Sequence, residues 1–409
     1  MAQLLLLVLT ARWFGVEFRG EVALFNATLQ LLVLLVGFTG GISIAFLAAR
    51  DADRRTLDRL LALGWAAALV LPPAALAVAN ALGWSAGPRV ILLGAIAVLQ
   101  ALHMVHLSVL VAGQAAWKVS LLEFLRPAAI VGLLLGARAL GGTLSPDGFY
   151  AVWFAGTALA FVLSLPFVAA HRGSLPGGAA APRSWGRLAR DLVTHGSLAQ
   201  ASNVAQFLNY RWLFFALERH AGLSAVGLFS TAVAFAEVLW IPTHSLAAVA
   251  LNRVTRAAAE PATRALVLRL VRLAVVAMVL ASALALVLPL GLVTGLLGRD
   301  FADVRALLAR LLPGVVAMGV ASVAASYHAG HGRYGRNLAA ALAGLAITSL
   351  GFTVLIPRFE VAGAVVAMNA AHLLTAAVVL APLVVAERVR ALELVPRLAD
   401  LRVRTGEPR

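Results

Sequence analysis

Helix-length apolar runs follow one another along this chain with only short polar breaks, and that pattern leaves few folds open. The runs occupy 23–48, 60–82, 89–112, 119–141, 149–170, 196–217, 225–250, 266–290, 304–327, 337–356 and 364–385. Each approaches the roughly 20 residues an α-helix needs to cross about 30 Å of hydrocarbon. Residues 1–11 form a shorter run, which reads as the second half of a first helix. It has neither the basic start nor the small-residue cleavage site of a signal peptide. Composition agrees: 62% of residues are hydrophobic, 12% are charged, and the mean hydropathy is +0.93. No polar stretch is long enough to hide a soluble domain. In lipid each backbone group must be satisfied within its own segment, so spans of this length are helical. The expected fold is an all-α polytopic membrane protein of about 12 transmembrane helices, the first apparently truncated.

The net charge is +15. In a soluble protein that would point to nucleic acid. Here the arginines fall in short breaks between spans, where they set orientation and meet anionic lipid headgroups, so membrane lipids are the expected partners and nucleic acid is not. With the N-terminus inside, the interior breaks hold sets such as Arg50, Arg54, Arg55 and Arg59, or Arg183, Arg187 and Arg190, and the tail from Arg388 to Arg409 is basic. The exterior breaks hold fewer than half as many: Arg12, Arg19, Arg89, Arg138, Arg219, Arg299, Arg305, Arg310 and Arg358. This bias places both termini in the cytoplasm.

The two halves of the chain begin alike. Val22-Ala23-Leu24-Phe25-Asn26 opens one apolar run and Val226-Gly227-Leu228-Phe229-Ser230 another, each after a short polar loop, Gly15 to Gly20 and Glu218 to Ser224. Fused copies of one membrane unit are a mark of transporters, whose lobes rock about a site between them. The expected organisation is an N-terminal lobe over 1–170 (spans 1–6), a cytoplasmic linker over 171–195, a C-terminal lobe over 196–385 (spans 7–12) and a basic cytoplasmic tail over 386–409. The linker carries Gly-Ser-Leu-Pro-Gly-Gly-Ala-Ala-Ala-Pro, a flexible tether.

Three motifs carry a family resemblance. They are Ala11-Arg12-Trp13-Phe14-Gly15 through Arg19-Gly20-Glu21-Val22-Ala23-Leu24; Val226-Gly227-Leu228-Phe229-Ser230-Thr231-Ala232 with Glu237 and Ile241-Pro242 downstream; and Leu355-Ile356-Pro357 through Val361-Ala362-Gly363-Ala364. In this order the chain resembles the multidrug/oligosaccharidyl-lipid/polysaccharide exporter superfamily, most of all the bacterial polysaccharide-type flippases that move lipid-linked oligosaccharides. The resemblance implies two pseudo-symmetric six-helix lobes, alternating access in a bacterial inner membrane, and an undecaprenyl-diphosphate-linked oligosaccharide as substrate for cell-surface polysaccharide biosynthesis. It also implies a functional link to a glycan polymerase or glycosyltransferases. One departure stands out: members often carry an aspartate two residues after the arginine of Asn209-Tyr210-Arg211, and here that position is Leu213.

Charge inside a bilayer is expensive and survives where it lines a cavity or has a partner. Arg211 lies on the seventh span with Gln200, Asn203, Gln206 and Asn209, a polar seam. It reads either as a cavity wall, with Arg211 on the diphosphate, or as an interhelical hydrogen-bond seam. Glu123 and Arg126 share a helix face and are candidates for an intramembrane ion pair. Gln100, His103 and His106 form another stripe, read as structural or cavity-polar ahead of proton coupling. Glu237 and His244 share a face on the eighth span, and Asn26 and Gln30 lie one turn apart on the second. The candidate substrate-binding residues are thus Arg211, Asn209, Gln206, Asn203, Asn26, Gln30 and Arg126, and the candidates for ion coupling are Glu237, Glu123 and His244. No catalytic residue, metal or cofactor is expected, since the chain has no P-loop, no His-Glu-x-x-His and no Gly-x-Ser-x-Gly. The alternatives are a multidrug or cation antiporter of the same superfamily and, from another class, a membrane-embedded glycan-processing enzyme.

Overall fold

Helix is the regular structure throughout the described residues, and no strand forms among them. The computed structural model describes residues 2–51, 53–82, 89–142, 144–177, 184–256, 261–287 and 289–386. The helices are α1 Ala2–Val36, α2 Gly41–Arg50, α3 Arg54–Ala81, α4 Val90–Ala112, α5 Ala116–Ala139, α6 Pro146–Ser174 and α7 Trp185–Val238. There follow α8 Ile241–Arg256, α9 Pro261–Leu286, α10 Leu290–Leu297, α11 Val304–Gly330, α12 Tyr334–Leu350 and, after a π-turn, α13 Ile356–Ala386. Nine helical stretches among the described residues are long and apolar enough to cross a membrane. Three of them, Gln3–Arg50, Gly196–Val238 and Tyr334–Val385, run to 48, 43 and 52 residues, about two crossings each. Counted so, they make the twelve helices of a polytopic membrane protein. Leu69, Val70, Ile91 and Leu140 are more than half exposed, an apolar surface that suits lipid and not water.

The polar loops expected at Gly15–Gly20 and Glu218–Ser224 are much tighter than the sequence implies. Each is reduced to one non-helical residue inside a continuous helical run, Gly15 (φ 82°, ψ −175°) in α1 and Gly222 (φ 81°, ψ 177°) in α7. That backbone region is essentially open to glycine alone, so a single glycine can turn the chain and let helix resume at once. The second span breaks over Gly37–Gly40, between α1 and α2, and the eighth at Leu239 and Trp240, between α7 and α8.

By contacts the chain divides into two compact units, Met1–Thr10 with Leu24–Val204, and Ala11–Ala23 with Ala205–Arg409. The division therefore falls inside α7, past the 171–195 segment taken from sequence as the linker. The reason is apolar: Leu188 and Leu192 on the first turns of α7 are buried with Ile44, Leu47, Leu57, Leu60, Val105 and Leu122 of the first unit. The glycine-rich part of that segment, 178–183, and the tail after Ala386 lie outside the described residues.

Each unit repairs its own helix breaks. In the first, Gln200 Nε2 donates to the Leu34 carbonyl at 2.7 Å, at the end of α1. Gly37 leaves the space for that amide, which any side chain there would overlap. In the second, Pro313 interrupts α11. Asn369 of α13 accepts from Gly314 N and donates to Arg310 O, both at 2.8 Å, and so stands in for the missing turn of backbone bonding.

Candidate functional site

In the second unit the two glycine turns bring their helices into backbone contact. A methyl group on Gly20 would collide with the carbonyl of Leu223, and one on Gly227 with the carbonyl of Val16. The contact is reciprocal: Gly15, Val16 and Gly20 correspond in spacing to Gly222, Leu223 and Gly227, as across a local two-fold axis. This correspondence pairs Val22 with Phe229, so the repeat is shifted by three residues from the Val22–Val226 alignment that the similar side chains invite.

The crossing carries Arg19 into the second unit. Expected in an exterior loop, it is instead helical and only 9% exposed. Its Nε has no hydrogen-bond partner among the described residues. Arg19 adjoins Gly20, whose backbone meets that of Leu223 on the helix that also carries Arg211 and Glu237. Arg211 and Glu237 pair through both prongs, Nη1 to Oε1 at 2.6 Å and Nη2 to Oε2 at 3.0 Å. This is the fork-to-carboxylate geometry of a strong charge-assisted contact. The Phe214 ring lies 5.4 Å from the Arg211 guanidinium carbon. Leu213 is fully buried, and the carboxylate that meets Arg211 is that of Glu237. The three side chains combine two cations with one anion, an arrangement able to accept a further negative charge.

The polar seam of the seventh span separates into different roles. Asn209 is buried, donates to Ala341 O at 2.9 Å and accepts from Thr348 Oγ1 at 3.1 Å, which ties α7 to α12. Gln206 keeps a buried Nε2 without a partner. Asn203 donates to Gln200 Oε1 at 3.3 Å, and these two residues belong to the first unit. Asn26 and Gln30, also in the first unit, are half-buried. His244 is exposed, its ring 6.3 Å from that of Trp240. The ring of Trp240 also lies near His372, whose two ring nitrogens are buried and unpartnered.

A second polar cluster sits within the first unit. Arg126 Nη1 donates to Gln100 Oε1 at 3.0 Å. Glu123 is exposed and closes no ion pair with Arg126, although the two are one turn apart; Arg126 turns toward α4 and its partner is a neutral amide. His103 is 3% exposed with neither ring nitrogen partnered. His106 Nδ1 bonds Ser164 Oγ at 2.6 Å, and its ring stacks on Phe161.

Sequence reasoning assigned Arg211 and Glu237 to a site separately but not to each other, and it missed Arg19. A signal for Arg19 was present: it lies between Gly15 and Gly20, whose spacing recurs at Gly222 and Gly227. Only the shifted alignment makes that recurrence visible.

No family model and no curated protein matches this sequence. Solved structures do match its fold. An inward-facing multidrug resistance MATE family transporter of the MOP superfamily aligns with a TM-score of 0.69 at 15% identity, over 95% of this chain and 93% of that one. The lipid II flippase MurJ in an inward closed conformation aligns at 0.67 and 12% identity, over 91% and 83%. A MOP superfamily transporter from Pyrococcus furiosus Vc1, described as having a binding pocket of reverse polarity, aligns at 0.65 and 14%, over 93% and 88%. The chain has the fold of the multidrug/oligosaccharidyl-lipid/polysaccharide exporter superfamily, and these neighbours are transporters.

Proposed function

We propose that this protein is a flippase that moves an undecaprenyl-diphosphate-linked oligosaccharide across a bacterial inner membrane by alternating access, for cell-surface polysaccharide synthesis. The observation that carries the reading is the charge balance around Arg211. Arg211 pairs with Glu237 there, while the buried Nε of Arg19 has no acceptor among the described residues, and such an excess of cations favours an anionic over a cationic cargo. A diphosphate offers several oxyanions, each able to take charge-assisted bonds from a guanidinium fork. The prenyl tail would stay in lipid. Arg126, Gln206, Asn203, Asn26 and Gln30 are proposed to contact the headgroup, while Asn209 contributes by fixing α7. The arginine bias supports cytoplasmic termini and a cytoplasmic 171–195 segment. A glycan polymerase or glycosyltransferases would act on the same lipid-linked sugar.

The test is leaflet accessibility of a lipid-linked oligosaccharide in proteoliposomes. Time-dependent exposure of the sugar to an external lectin supports the reading. Movement of cationic dyes without movement of the lipid-linked sugar would replace it with the multidrug-transporter alternative.

A further inference from the structure

We infer that Glu237 is the resident counter-ion of this site, exchanged for the substrate's phosphate on Arg211, and that Arg19 is a second cation held in reserve for the incoming anion. The inference rests on the proposed anionic cargo and adds how the site is regulated when empty.

The stoichiometry comes first. Both oxygens of Glu237 are engaged by Arg211. Arg19, beside the Gly20–Leu223 backbone contact, has a buried Nε without an acceptor among the described residues. A buried donor without a partner is unfavourable, more so when charged. A chain carrying that cost has a cation whose partner arrives from elsewhere.

Exposure then gives the direction of exchange. Arg19 is 9% exposed, the Arg211 side chain 16% and the Glu237 side chain 28%. Glu237 is therefore the most exposed of the three residues, and the exchange moves its carboxylate outward. Glu237 also precedes the helix break at Leu239 and Trp240, where regular α7 bonding ends. The arginines are fixed more firmly, Arg211 against Phe214 and Arg19 beside the backbone contact of Gly20.

Chemistry supplies the reason for keeping the carboxylate. Without it, an empty site would hold two buried cations and no anion, an arrangement costly in a low-dielectric interior. With it, the empty site is closed by an internal pair. A phosphate oxygen pair presents the same bidentate acceptor to Arg211, and a diphosphate has further oxygens for Arg19. Exchange then replaces one acceptor by a larger one and leaves Glu237 to solvent.

The test uses the full chain in detergent, with inorganic pyrophosphate as probe and isothermal titration as readout. Glu237→Gln should bind pyrophosphate about tenfold tighter than the wild type, because the internal competitor is gone, whereas Arg19→Gln should bind it about tenfold weaker. Glu237→Asp keeps the charge on a shorter arm and should fall between wild type and Glu237→Gln, which guards against a folding defect in the neutral variant. A Glu237→Gln affinity equal to or weaker than wild type overturns the exchange even if the wild type binds well. Binding of a cationic dye with no pyrophosphate binding by any variant overturns the anionic cargo itself, and the exchange with it. Farnesyl diphosphate separates the sources: tighter binding than pyrophosphate supports a lipid-linked ligand. Equal binding, with the variant order kept, supports the exchange and removes the lipid from the proposed function.

Discussion

Arg126 in the first unit meets the neutral amide of Gln100 at 3.0 Å, while Arg211 in the second meets the carboxylate of Glu237 at 2.6 Å. Around Arg126 stand imidazoles, His103 without partners and His106 bonded to Ser164. Arg211 is paired with an acid, and Arg19 of the same unit keeps a buried Nε without a partner among the described residues. Both helices pass the same test of hydropathy, yet their polar groups differ in kind. The first cluster has no described anion bonded to its arginine and hence nothing for a charged ligand to exchange with. The second holds a strong internal ion pair and an arginine whose buried Nε has no partner among the described residues. An arginine inside a span is thus weak information until its partner is known.

The largest effect expected of this difference is on transport. Arg211→Ala should reduce flipping of a lipid-linked oligosaccharide by well over tenfold, since loss of a charge-assisted contact in a buried site costs on the order of a few kcal/mol. Arg211→Lys should restore part of it, the charge being kept and the planar fork lost. Arg126→Ala should cost clearly less. Equal losses in the leaflet-accessibility assay would erase the distinction between the two clusters.

The two glycine turns sharpen the comparison at the level of the backbone. Gly15→Ala and Gly222→Ala each place a Cβ at a positive φ and should destabilise the protein by about 1–3 kcal/mol. Their correspondence predicts similar penalties, read as matched drops in thermal unfolding temperature in detergent. A penalty at one site alone would break the local two-fold reading.

Buried polar groups should also divide by whether they are bonded. Asn209→Leu strands the Ala341 carbonyl and the Thr348 hydroxyl and should cost about 1–3 kcal/mol. His103→Leu removes two orphaned nitrogens and should leave thermal stability unchanged or raised. Destabilisation by His103→Leu as large as that by Asn209→Leu would show that the imidazole has a partner after all.

The smallest effect lies at a helix start. Asp53 caps α3, accepting from Thr56 N at 2.9 Å. Burial pushes its carboxyl up, but the hydrogen bonds from Thr56 and the Arg55 amide outweigh this and hold it below the ordinary aspartate value. A carboxyl depressed in the folded state stabilises above its unfolded pKa and loses that contribution as pH falls through the folded value. Asp53→Ala should therefore cost about 1 kcal/mol at neutral pH, and the gap between variant and wild type should close below about pH 4. A gap that persists unchanged in acid would assign the effect to packing.

Hydropathy summed over about 20 residues determined the helical class and the membrane setting, because a crossing is a local property of one segment. The break of the second span over Gly37–Gly40 is local in origin too, since glycine acts on its own backbone. Other features depend on residues far apart in the chain. Arg211 and Glu237 are 26 positions apart, and Arg19 joins them only because Gly20 and Gly227 let two helices touch. Leu188 and Leu192 decided where the units divide by burying against α3 and α4, which the nearby glycine-rich segment did not reveal. Sequence carries the cost of each buried charge, but whether that cost is met by a carboxylate, an amide or nothing within the chain is settled by packing.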